Sequence, residues 1–196
     1  MKRAALGIRM HCGWGVLVAV SNDNGKLEII ERRRIVTMDP QIPGAKQPYH
    51  FAETLKLAEA EKHIAKCAAV SERLGFAAVE QLLRELDARN YRVAASVIIL
   101  ASGRPLPPLP KILASHPLLH TAEGEFFREA IKRACERLKL SVSAIRERDL
   151  DERAKEALGN AASCVQRRIS TMGKSIGPPW TKDHKTTALA AAIILQ

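Results

Sequence analysis

Three groups of residues carry side chains that can do chemistry. The first is the segment Ser115-His116-Pro117-Leu118-Leu119-His120-Thr121-Ala122-Glu123-Gly124-Glu125. His116, His120, Glu123 and Glu125 offer imidazole and carboxylate ligands of the kind that hold a divalent metal. They sit at a loop-to-helix junction, where free N–H groups would instead hold an anion, and where Glu123 and Glu125 also suit the first turn as acids. The second group surrounds Gly177-Pro178-Pro179-Trp180: Lys174, Lys182 and Lys185 form a basic rim suited to a phosphate backbone, and Trp180 either stacks on a base or covers the end of the core. Asp183, His184 and Thr187 follow directly. The third group is Arg9 and His11, inside an apolar run where a long cation is costly to bury unless it is paired.

Each group needs elements to position it. Leu6–Met10 and Val16–Val20 read as two strands around His11-Cys12-Gly13-Trp14-Gly15, whose glycines permit a tight reversal. A third strand, Leu27–Thr37, follows the turn signal Asn22-Asp23-Asn24-Gly25, so the chain opens with a three-stranded antiparallel meander. Asp39–Pro48, rich in proline, predicts a loop. From Phe51 the apolar spacing predicts one helix bent near Gly75, or two in succession, ending past Leu86. Arg92–Leu100 reads as a buried, parallel strand. Ala101–Pro117, centred on Pro105-Leu106-Pro107-Pro108-Leu109-Pro110, predicts a stiff polyproline II connector, or a docking motif. Thr121 is the expected N-cap of a helix to Leu138; Ser141–Arg148 is a further strand. Asp149 and Glu152 then predict a capping box for a helix ended by Gly173, and an alanine-rich helix runs from Lys182 to Leu195.

The composition sets bounds. At 196 residues and 46% hydrophobic content, the chain is long enough for one full core, and a single domain over 1–196 is expected. Lys and Arg number 31 against 21 Asp and Glu, a net charge of +10 that attracts polyanions such as nucleic acid. Arg32-Arg33-Arg34 is not one patch, because neighbours on a strand face opposite ways. Only 4% of residues are aromatic, which argues against a dedicated single-strand binder. Cys12, Cys67, Cys135 and Cys164 have no zinc spacing and read as buried free thiols of a reducing compartment. Arg9 and His11 interrupt what would be a signal-peptide core, and no run reaches the ~18 apolar residues of a membrane span. A cytoplasmic protein without membrane contact is expected.

The order of elements, three antiparallel strands, helix, strand, helix, strand, helix, helix, resembles the ribonuclease H-like fold: α/β, a five-stranded mixed sheet of one antiparallel meander plus two parallel strands, with helices on both faces. Leu6-Gly7-Ile8 is similar to the first-strand motif LGIDxG of the RuvC-like branch, the Holliday-junction resolvases. His184-Lys185-Thr186-Thr187-Ala188-Leu189-Ala190 is similar to that branch's final-helix motif HxxDALA. The resemblance implies metal-dependent phosphodiester cleavage, with carboxylates converging at one end of the central strands around two divalent cations. It also implies a homodimer as one arrangement, and that the start of the last helix packs beside the first strand, bringing Asp183, His184 and Thr187 near Arg9 and His11.

The motif acids are replaced here. The first-strand Asp aligns with Arg9, the fourth-strand Glu with Leu100-Ala101-Ser102, and the final-helix Asp with Thr187; His184 is retained and Asp183 is the nearest carboxylate. A guanidinium at the central ligand position repels a divalent ion. Arg9 is therefore expected to pair with Asp183 or a nearby acid in a vestigial site of Arg9, His11, Asp183, His184 and Thr187; the alternative is an outward-pointing side chain at a strand edge. Three functions follow. The leading one is a catalytically degenerate RuvC-like domain that binds nucleic acid or serves a nucleic-acid-processing assembly. The others are an active phosphodiesterase with a metal site rebuilt from His11, Glu123, Asp183 or His184, and a protein-interaction scaffold with no nucleic-acid role.

Overall fold

The computed structural model describes residues 1–23, 26–101 and 105–195, with the side chain of residue 23 left aside. Its strands are β1 (Lys2–His11), β2 (Trp14–Asp23), β3 (Lys26–Val36), β4 (Tyr91–Leu100) and β5 (Ser141–Arg146). They form one sheet in the order β3-β2-β1-β4-β5. The first three pair antiparallel, while β4 joins β1 and β5 joins β4 in parallel, so the expected mixed sheet is present. Only Cys12 and Gly13 separate β1 from β2, and Gly13 takes a φ of +79°, a left-handed conformation that favours glycine. The turn expected at Asn22-Asp23-Asn24-Gly25 includes residues 24 and 25, which lie outside the described residues.

The helices are α1 (Pro48–Ala52), α2 (Leu57–Ala88), α3 (Leu109–Leu113), α4 (His116–Arg137), α5 (Leu150–Leu158), α6 (Ala162–Thr171), α7 (Gly173–Ile176) and α8 (Lys182–Ile194). Alternation along the strands divides the apolar residues between two faces. Leu6, Ile8, Met10, Leu17 and Ala19 pack with Val79, Leu82, Phe127 and Ile131 of α2 and α4. Ala5, Val16, Val18 and Val20 pack with Ala188, Ala191 and Ala192 of α8, and Val97 and Ile99 with Ala190 and Ile193. Each fully buried Leu, Ile or Phe contributes roughly 1.5–3 kcal/mol. The small residues of α8 let it lie almost on the sheet: a Cβ at Gly7 would stand 2.1 Å from the carbonyl oxygen of Thr187. Among the described residues, no helix is long and apolar enough to cross a membrane.

Several local expectations are corrected. The long helix does not start at Phe51: α1 begins at Pro48, inside the expected loop, and Lys56 in extended conformation separates it from α2. α2 then runs unbroken through Gly75, where a Cβ would press on Ile131 of α4 at 3.1 Å. The proline-rich stretch gives way to helix after Pro108, itself extended, because α3 takes Leu109 and Pro110 into its first turn; residues 102–104, Ser102 among them, lie outside the described residues. α4 begins at His116, not after Thr121. Pro117 sits in its first turn, where a missing N–H costs nothing, and the Thr121 hydroxyl donates back to the Pro117 carbonyl oxygen at 3.0 Å.

The helix expected from Asp149 to Gly173 is broken. Its capping box does not form, because the Asp149 carboxylate accepts from Arg146 instead. Gly159, at φ +52°, ends α5 ahead of a 3-10 turn, and Gly173 opens α7, where its missing side chain makes room for the Trp180 ring.

Candidate functional site

Residue parity along β1 aims Arg9 at the α8 side of the sheet, near the strand's C-terminal end, and α8 starts directly opposite. Arg9 Nε stands 3.0 Å from Asp183 Oδ1, and Arg9 Nη2 donates to Glu147 Oε2 at 2.9 Å. His11 Nε2 lies 2.8 Å from Asp183 Oδ2, and Lys182 Nζ 3.0 Å from Glu147 Oε1. The Arg9 and Asp183 side chains are only 18% and 22% exposed, so their attraction is screened less than at an open surface. The expected pairing of Arg9 with Asp183 is thus present, and Arg9 does not point outward at an edge. Glu147, which follows β5 in a 3-10 turn, is a second partner that sequence reasoning missed.

The network extends onto the hairpin. The His11 ring stacks on Trp14 at 4.2 Å and 15°, and Arg34 lies over the Trp14 ring at 4.6 Å. Glu147 is held below the usual carboxylate range, first by the hydrogen bond from Arg9 and then by Lys182. Arg9 Nη1 is buried and has no hydrogen-bond partner among the described residues.

His184 and Thr187 do other work. His184 Nδ1 accepts from the Thr181 backbone N–H at 3.3 Å and lies 2.8 Å from the Thr181 hydroxyl, closing a capping box at the start of α8. An imidazole nitrogen that accepts must be unprotonated, and burial, followed by the charge of Arg32, lowers the His184 pKa from its ordinary value. Thr187 is fully buried against Gly7, and its hydroxyl has no partner among the described residues.

Trp180 is half-buried. Its indole N–H donates to the Ile169 carbonyl oxygen at 2.7 Å and its ring rests on Gly173, so it covers the end of the core, the second of the roles foreseen for it. The loop before it hangs on Arg32, whose Nη1 donates to the carbonyl oxygens of Gly177 (2.7 Å) and Pro179 (2.9 Å) and whose Nη2 donates to that of Ile176 (2.7 Å). Arg33 faces the other way and pairs with Glu85 of α2, as the alternation predicts. Lys174 is exposed and Lys185 half-exposed, and neither makes an ion pair among the described residues. Two open clefts meet at Lys182, one edged by Trp14 and Arg34, the other by Lys155 and Lys185.

The group His116, His120, Glu123 and Glu125 is assembled differently from expectation. His116 and His120 converge, with their Nε2 atoms 3.0 Å apart. Glu123 turns into the protein, 2% exposed, and Glu125 pairs with Arg128 at 2.9 Å, so neither is a first-turn acid of α4. Glu123 Oε1 accepts from the backbone N–H groups of Tyr49 (2.8 Å) and His50 (3.1 Å), capping α1 from a distant part of the chain. The third group beside His116 and His120 is His50.

The cysteines divide: Cys67 and Cys135 are buried, Cys12 is half-buried, and Cys164 is exposed, which corrects the expectation that all four are interior. Cys164 lies on the solvent side of α6, away from its buried residues Ala162 and Ile169. Burial pushes the Cys135 thiol up to about 12, so this one is inert.

The donor set at the end of β1 does not suit a pair of divalent cations. Both carboxylates there accept from Arg9, and a cation entering between them would meet a fixed guanidinium charge within bonding distance.

No protein-family model matches the chain, and no curated protein matches it. Solved structures do. Thermus thermophilus RuvC in complex with a Holliday junction substrate aligns over 97% of this chain and 91% of its own, at 14% identity and a TM-score of 0.50. A second T. thermophilus RuvC structure aligns over 97% of this chain and 92% of its own, at 14% identity and a TM-score of 0.49. An Aquifex aeolicus member of the Ppx/GppA family aligns over 88% of this chain and 40% of its own, at 14% identity and a TM-score of 0.36. At such identities the likeness is one of fold, and the fold is ribonuclease H-like.

Proposed function

We propose that residues 1–196 form one ribonuclease H-like domain of RuvC-like type that binds nucleic acid, or serves a nucleic-acid-processing assembly, without metal-dependent cleavage. The observation that carries this reading is the position of Arg9. Its guanidinium bridges Asp183 and Glu147 at the strand end where the resemblance places metal-binding carboxylates. An ion pair satisfies both acids there and leaves a divalent ion nothing to bind.

The charge supports a polyanionic partner. The net charge is +10, and Arg34, Lys155, Lys182 and Lys185 edge the two clefts beside the Arg9 network. Lys174 stands exposed on α7, ahead of them in the chain. Trp180 in this reading keeps the loop in place and does not stack on a base. Because T. thermophilus RuvC has been captured with a Holliday junction substrate, a four-way junction is the first probe, beside duplex and single-stranded DNA.

The test is fluorescence anisotropy at about 50 and 200 mM salt, where each released counterion contributes roughly 0.9 to the slope of log K against log salt. Tight junction binding at low salt that weakens steeply with salt is expected, with the slope about 2 smaller in a Lys182→Ala/Lys185→Ala variant. Absence of binding at low salt would remove this reading, and so would cleavage of any of these DNAs in magnesium or manganese.

A further inference from the structure

We infer that His50, His116 and His120 form a site for one zinc-class divalent transition-metal ion, with Glu123 as the carboxylate that orients His50 from behind. One nitrogen from each imidazole lies within 4.8 Å of the other two. Ring centroids are 4.6 Å apart for His116 and His120, 4.8 Å for His50 and His120, and 5.6 Å for His50 and His116. His116 and His120 are one helical turn apart on α4 and so project from one side of it. His50 arrives from α1, far off in the chain, and only the packing of α1 on α4 brings it there.

Two features distinguish this cluster from three histidines that happen to meet. The first is spacing. Zn–N bonds of about 2.0–2.1 Å put tetrahedral nitrogens about 3.3 Å apart, and the His116 and His120 Nε2 atoms are already 3.0 Å apart. At that distance at least one Nε2 is unprotonated and without a metal accepts the other's N–H; a metal ion takes both lone pairs at once.

The second is the buried carboxylate. His50 Nδ1 lies 3.2 Å from Glu123 Oε1, which also accepts the Tyr49 and His50 backbone N–H groups. A proton held on Nδ1 by a carboxylate leaves Nε2 as the lone pair, the tautomer that binds a metal, and makes it more basic. Glu123 is 2% exposed and its Oε2 is buried without a hydrogen-bond partner among the described residues, so this acid is fixed in place behind the histidine.

Three imidazoles and no thiolate select zinc, cobalt, nickel or copper over magnesium and calcium, which prefer oxygen ligands. His116 and His120 are exposed, so the fourth coordination position opens to solvent. The bound ion would tie α1 to α4. This site is on the α2–α4 side of the sheet, and the inference does not rest on the nucleic-acid reading.

The test uses the full chain without an affinity tag, stripped with a chelator. Zinc is titrated against a chromophoric competitor, and cobalt is added separately for its visible spectrum. The expected result is one equivalent bound at micromolar affinity or tighter, with the intense visible bands of four-coordinate cobalt. A His116→Ala/His120→Ala variant should lose at least 100-fold in affinity, and Glu123→Gln 10- to 100-fold. His63→Ala, at a histidine outside the cluster, should bind as the parent does. The double variant replaces exposed side chains and keeps its fold, checked by circular dichroism of the metal-free forms. No zinc binding tighter than about 100 μM, or equal binding by the parent and the double variant, would overturn the inference.

Discussion

Arg9 and Asp183 stand almost at opposite ends of the chain, yet Arg9 Nε and Asp183 Oδ1 are 3.0 Å apart. The contact exists because β1 is the central strand of the sheet and α8 lies directly across it. Asp183 at the same time pairs with His11, and Arg9 donates to Glu147, so the four groups are coupled. Removing the cation leaves two carboxylates facing each other with reduced access to water. Arg9→Met is expected to cost about 1–3 kcal/mol of stability in urea melts. Asp183→Asn should then cost less in the Arg9→Met background than in the parent, with a coupling of about 0.5–3 kcal/mol. Additive costs would mean that the pair contributes nothing of its own.

Gly7 predicts a larger effect from a smaller change. A Cβ there would lie 2.1 Å from the Thr187 carbonyl oxygen and 2.8 Å from its Cγ2, and the first of these is backbone, which cannot rotate away. Gly7→Ala must therefore lift α8 off the sheet. A loss of about 3 kcal/mol or more is expected, read as a fall in urea midpoint, together with weakened hydrogen-exchange protection along α8. Parent-like stability would show that α8 can shift at little cost.

Arg32 is the anchor of residues 176–179, and a fork of donors is what the task requires. Lysine has one compact head group and cannot reach carbonyls on several sides of a loop. Arg32→Lys is expected to cost about 1–2 kcal/mol and to speed tryptic cleavage at Lys174 and Lys182 severalfold. Unchanged cleavage rates would show that Trp180 alone holds the loop.

The pH dependence has two steps. His184 has a lowered pKa because it is buried neutral, so the unfolded chain binds more protons between the folded value and the ordinary value near 6.5, and stability falls as pH drops through that window. Glu147 has a lowered pKa chiefly through Arg9, so its contribution is complete above the ordinary carboxylate value near 4.3 and is lost as pH falls through its folded value. A plot of Tm against pH should be flat from 7 to 8, decline first below about 6.5 and again below about 4.3. Glu147→Gln should shrink only the lower step; an unchanged lower step would assign it to other acids.

Much of the sheet was legible because its signals are local. Apolar runs of strand length, Gly13 at the hairpin and the helical crossovers between parallel strands each follow from a few neighbouring residues, and the need of Arg9 for an acidic partner followed from its cost of burial. Glu147 was not legible: it sits in Arg146-Glu147-Arg148-Asp149, where charges alternate and nothing in the chain says which one turns inward. His50 was missed for a related reason. It stands alone between Tyr49 and Phe51, and the one signal near it, Pro48 as a first-turn residue of a short helix, fell inside a stretch read as loop.

Glu123 shows the same limit from the other side. As a residue type near a helix start it suited an exposed first-turn acid. In the fold it is buried and caps a different helix, because α4 begins at His116 and carries Glu123 two turns inward to face α1. The break at Gly159 was not legible because apolar residues continue on both sides of it: Leu150 and Ala154 are buried before it, Ala162 and Ile169 after it.

The mixed sheet came with the family resemblance; by itself, the sequence determined the five strands and their order along the chain, and the presence of a cation in the first strand that requires an acid. These depend on periodicity and burial cost, which neighbouring residues carry. Only the tertiary structure decided which acids answer Arg9, that His184 serves as a cap, and that the histidine cluster recruits His50 in place of Glu123 and Glu125. Those outcomes depend on which helix faces meet across the sheet, and that is set by packing between segments far apart in the chain.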